Sequence, residues 1–181
     1  MGRWQKPDVP HLHTMNKIVI DVGCARYGGD YSIERLIEKF EPDVLYGFDP
    51  AWGDEMYQPI VDVYKTHVIV SKEIAWTRLG LVPFMLDGLN GQVGDADFWP
   101  LLRCMDLAHF IKRFPAADEI ILKMDCEGSE YELLEHLMHT GVDERLSLAW
   151  VEWHPRGVLD PAERRASIER RIRCPLDEWL W

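Results

Sequence analysis

The segment Leu122–Leu137, LKMDCEGSEYELLEHL, runs an apolar strand into Asp125, then Glu127, Gly128 and Ser129, then an amphipathic helix. A second apolar run, LSLAWVEWHP, closes on Glu152 and His154. Two carboxylates and an imidazole delivered by neighbouring strand exits suit removal of a proton from a weak nucleophile such as a hydroxyl. An imidazole with its ordinary pKa of ~6.5 is well placed for that work. The same three groups would hold Mg or Mn only with added water, so a metal ranks behind the base. Competing readings are a helix N-cap for Asp125 and a surface histidine for His154, just before Pro155. Glu152, flanked by apolar residues, is either paired or functional. Glu127 and Glu130 read as first-turn carboxylates that complement the helix dipole.

A second group of residues suits ligand binding. The run KIVIDVGCARYGGDYS carries Asp21, Gly23, Cys24, Gly29 and Ser32 around a glycine-rich turn, where backbone can approach a ligand. The run VLYGFDP ends in Asp49 and Pro50. A carboxylate after the second strand can accept two hydrogen bonds from a vicinal diol, as in dinucleotide folds. The turn is neither G-x-G-x-x-G nor a Walker A pattern. It suits a nucleoside without a pyrophosphate.

These residues need elements to carry them. KIVID, VLYGF, HVIVS, EIILKM and LSLAWV are short apolar runs of the buried parallel type. Between them lie amphipathic stretches. Ile33, Leu36, Ile37 and Phe40 predict a helix after Ser32, ended by Pro42. Leu107, Phe110, Ile111 and Phe114 predict another, and Tyr131, Leu134, Leu137 and Met138 a third, closed by Gly141. A weak helical pattern spans 54–65, EIAWTRLGLVPFML reads as a hairpin or extended pair turning near Gly80, and DPAERRASIERRIR as a polar helix. Residues 87–100 read as a glycine-rich loop, a candidate lid over the acceptor site. Alternating strands and helices predict an α/β fold: a single Rossmann-like three-layer domain over 1–181, with a mostly parallel sheet. Residues 1–16 form an N-terminal extension, and 156–181 a helix and tail that leave the C-terminal end shortened.

Bulk chemistry narrows the classes. Twenty basic against 31 acidic side chains give a net charge of −11, which argues against a diffuse nucleic-acid surface. No apolar run approaches the ~18 residues of a membrane span, and the N-terminus lacks a signal-peptide core. The expected setting is cytoplasmic, with Cys24, Cys104, Cys126 and Cys174 as free thiols. His136 and His139 read as solvated. Arg164, Arg165, Arg170, Arg171 and Arg173 read as a solvated helix face ahead of a phosphate site. Trp76, Trp99, Trp150 and Trp153 are core candidates before they are pocket walls.

VIDVGC followed by GFDP resembles the first two motifs of class I methyltransferases. GGDYS, RCMDLAHFIKRF, LKMDCEGSE and LAWVEWHP resemble, in order, segments of the FkbM family. The resemblance spans about Ile18 to Pro155 and implies O-methyl transfer from S-adenosylmethionine to a hydroxyl of a small molecule, sugar or glycan. It implies that Asp21, Gly23, Cys24, Gly29 and Ser32 line the methionine side and that Asp49, with Pro50, holds the ribose. Lys72–Ala75, including Glu73, would flank adenine, with Asp125 near the sulfonium. The family's first-loop Asn is replaced by Ala25 and Arg26, and the short C-terminus leaves scarcely room for the usual closing hairpin. A homodimer or a completing partner chain would supply the missing cover. The alternatives are a binding or scaffold protein that keeps the fold and, behind it, a nucleic-acid methyltransferase; a nicotinamide oxidoreductase is disfavoured by the missing glycine fingerprint.

Overall fold

The structure is a computed structural model that describes residues 15–24, 32–51, 66–87, 90–93 and 99–179. Gly29, the weak helical pattern at 54–65 and most of the N-terminal extension lie outside the described residues.

The central sheet is built from β1 (Lys17–Val22), β2 (Val44–Phe48), β3 (His67–Ser71), β8 (Glu119–Met124), β9 (Leu148–Val151) and β10 (Leu176–Glu178). Its order is β10-β9-β8-β1-β2-β3, and every neighbouring pair is parallel. The α/β Rossmann-like fold expected from the alternating pattern is therefore present. The chain moves outward from β1 to β3, then returns to β8 on the other side of β1. The order reverses between β1 and β8, where open α/β sheets form a crevice at their carboxyl ends.

Successive residues of β1 face opposite layers, as a strand requires. Ile18, Ile20 and Val22 join a core with Leu107 and Ile111 of α2 (Leu107–Ile111), and with Tyr131, Leu134 and Leu137 of α3 (Glu130–His139). Ile168 of α4 (Pro161–Arg171) closes that core. Val19 packs the other way, with Ile33, Leu36 and Ile37 of α1 (Ser32–Phe40) and with Trp150 and Trp179. The helical periodicities are thus the buried faces of real helices, and helices cover both sides of the sheet.

Two segments depart from expectation. The run from Glu73 is no simple hairpin. β4 (Ile74–Trp76) pairs parallel to β7 (Leu101–Asp106), and β5 (Gly80–Asp87) pairs antiparallel to it. β6 (Asn90–Val93) then pairs antiparallel to β5. Part of the expected lid at 87–100 is therefore a strand in a second sheet of order β4-β7-β5-β6. At the other end, the tail adds β10 beside β9 and buries Trp179 edge-on against Trp150, ring centroids 4.3 Å apart. Among the described residues, no helix is long and apolar enough to cross a membrane.

Candidate functional site

The ends of β1 and β8 are tied together at the crevice. Gly23 has φ +80, and a Cβ there would stand 1.6 Å from the Asp125 carbonyl oxygen. Only glycine permits that approach. The Asp125 amide donates to the Val22 carbonyl at 2.9 Å.

Lys123, which received no role from sequence, is the centre of this junction. It is fully buried, its ammonium 3.0 Å from Asp21 Oδ1 and 3.4 Å from Asp125 Oδ2. It also donates to the Gly23 carbonyl at 2.9 Å. Burial favours loss of the lysine's proton, but the charges of Asp21 and Asp125 outweigh it and hold the pKa above its ordinary value. Ser32 Oγ donates to Asp21 Oδ2 at 2.7 Å. Cys24 is buried against this group, and burial pushes its thiol well up, which disfavours the reactive thiolate. The four free cysteines are Cys24, Cys104, Cys126 and Cys174. Asp49 lies at the end of β2, where Oδ1 accepts the Ala51 amide at 2.7 Å and Pro50 forms the turn.

Beyond β8 the chain turns sharply. Glu127 has φ 55 and Gly128 φ 101. A Cβ on Gly128 would meet the Arg156 carbonyl at 2.5 Å, which accounts for glycine in the motif. Helix α3 begins at Glu130 after Ser129, so Asp125 is not its N-cap. Glu130 lies in the first turn of α3, as its position predicts. It is fully buried, accepts the Cys126 and Gly128 amides at 2.7 and 2.8 Å, and accepts His154 Nδ1–H at 2.9 Å.

His154 therefore has a fixed ring. Its Nε2 points to Asp125 Oδ1 at 3.8 Å and to Glu152 Oε1 at 3.6 Å. The three sequence candidates Asp125, Glu152 and His154 do converge, with one ligand atom from each inside a 4.8 Å span. Burial pulls the ring's pKa down. The Glu130 hydrogen bond and the charges of Glu130, Asp125 and Glu127 outweigh burial and carry it up to about 9. The carboxylates around the ring favour its charged form.

An open pocket of about 630 Å³ sits beside Asp49, lined by Tyr46, Phe48, Ser71, Glu73, Asp106 and Phe110 among others. The Asp49 amide donates to the Ser71 carbonyl at 3.0 Å, joining pocket and strand end. Glu73 stands on the wall of this pocket. The remaining candidates fall outside the crevice. Trp150 is core, Trp153 packs on Tyr131 with centroids 5.1 Å apart, and His136 pairs with Asp106 at 3.1 Å and is not simply solvated. Arg164 binds Glu132 and Glu135, Arg165 binds Glu169 and Glu178, and Arg173 binds Asp143 and Glu144. These three arginines are held by carboxylates, Arg164 and Arg173 by carboxylates of other elements rather than by their own helix face. Compared with protein-family models, with curated proteins and with solved structures, the chain matches none.

Proposed function

We propose that the protein transfers a methyl group from S-adenosylmethionine to a hydroxyl of a small molecule or glycan. The observation that carries this reading is the convergence of Gly23, Asp49 and Asp125 on one edge of the sheet, around the point where strand order reverses. The residues fit the cofactor. Gly23 lets backbone approach, Asp49 offers a carboxylate for the ribose diol, and the pocket past Phe48 has the ~300–1,000 Å³ and apolar walls of a small-molecule site. A compact nucleoside needs no basic group there, and among the residues named on the pocket wall only Arg113 and His109 are basic.

Bound there, S-adenosylmethionine supplies an activated methyl group, its sulfur keeping the electron pair of the breaking S–C bond. The chain's part is alignment and proton removal. Asp125 takes the acceptor's hydroxyl proton as its oxygen bonds to the methyl carbon. Lys123 holds Asp125 from behind, and Glu130 fixes the ring of His154 beside it.

The order β3-β2-β1-β8-β9-β10 is also that of dinucleotide-binding folds, which favours a nicotinamide cofactor as the second reading. Calorimetry with S-adenosylmethionine, S-adenosylhomocysteine and NAD in parallel separates the two. Saturable binding of the first two alone supports methyl transfer. Binding of NAD alone overturns it.

A further inference from the structure

We infer that Asp125, Glu152 and His154 form a binding site for one divalent transition cation, of which Mn(II) is the best match. The three side chains leave from adjacent parallel strands. The Asp125 amide is tied to β1 and the Glu152 amide to the Met124 carbonyl at 2.9 Å. The ligand atoms are thus set by the sheet rather than by a free loop.

Two observations point to a cation here. First, His154 Nε2 faces two carboxylate oxygens at 3.6 and 3.8 Å. Those distances are too long for hydrogen bonds. Ligand atoms ~2.1 Å from a common ion lie ~3–4 Å apart. Second, the other ring nitrogen is already committed to Glu130, which two backbone amides hold in place. A carboxylate on the far nitrogen is the usual support of a metal-bound imidazole, because it fixes the tautomer and aims the free nitrogen. One nitrogen and two carboxylate oxygens suit Mn(II) better than Ca or Mg, which prefer all-oxygen cages. Three ligands from the chain leave positions for water or for an acceptor oxygen. This consequence rests on the methyl-transfer reading and favours acceptors with two neighbouring oxygens, such as a vicinal diol; the cation site itself does not rest on it.

The test is titration of the full chain, after chelator treatment, with MnCl₂ at pH 8, followed by the loss of the free Mn(II) paramagnetic resonance signal. The higher pH helps the metal displace the ring proton. One Mn(II) per chain is expected. Glu152→Gln, at a partly exposed position that the core does not depend on, should weaken binding more than ~100-fold, and Glu130→Gln by ~10–100-fold through lost support of His154. Glu163→Gln on the exposed side of α4 should bind as wild type does. No saturable signal loss in folded wild type, or unchanged affinity in Glu152→Gln, overturns the site. Mn(II) binding without any S-adenosylmethionine binding would keep the site and reject the methyl-transfer reading. The converse result would reject the site alone.

Discussion

The ammonium of Lys123 stands 3.0 Å from Asp21 Oδ1 with both side chains fully buried. The pair joins β1 to β8 across the crevice. Removing one partner of a buried pair leaves the other charge uncompensated and costs about 3–5 kcal/mol. Lys123→Met should lose stability in that range by urea unfolding. It should also release Asp125, which sits 3.4 Å from the same ammonium. A variant within ~1 kcal/mol of wild type would mean the pair is not formed.

Glu130 makes a separate prediction. Its oxygens accept two backbone amides and the His154 ring. In Glu130→Gln an NH₂ group must face one of those donors. The expected loss is about 1–3 kcal/mol, read by chemical denaturation, with the His154 ring proton resonances shifting as its partner weakens. An exposed first-turn carboxylate would give at most ~1 kcal/mol and no ring shift.

Asp143 gives the pH dependence. Its side chain is buried and accepts the Arg173 amide and Nε at 3.0 Å each. Burial pushes the carboxyl up, but the Arg173 hydrogen bonds and charge outweigh that and hold it below its ordinary 3.8. A lowered folded-state pKa stabilises the fold above the unfolded value, and the gain is lost as pH falls through the folded one. Asp143→Asn should cost about 1–2 kcal/mol at neutral pH, the lower part of the charged-bond range because Arg173 stays partly solvated. The gap from wild type should stay level down to about pH 4 and close below it. A gap that widens on acidification would contradict the pairing.

The sheet was legible because its strands are nearly pure apolar runs, and Asp21, Asp49, Asp125 and Glu152 mark their exits. The convergence of Asp125, Glu152 and His154 was legible because two of those exits are adjacent. Lys123 was not read, although a lysine inside EIILKMD is a signal: a charge in a strand buried on both faces must find a partner. The contact of Glu130 with His154, 24 positions away, was not legible, because helix-start rules see only local neighbours. The second sheet was missed because LLRCMD runs directly into the helix at Leu107, and β10 is too short to show a period.

The central claim, that this edge of the sheet holds S-adenosylmethionine with Asp49 on the ribose, is tested most directly by calorimetry with S-adenosylhomocysteine on wild type and Asp49→Ala. Two hydrogen bonds to a charged acceptor are each worth about 1.5–3 kcal/mol. The account expects one site per chain in wild type and a Kd at least ~10-fold weaker in the variant. Equal affinity in the two proteins, or no binding to folded wild type, would contradict it.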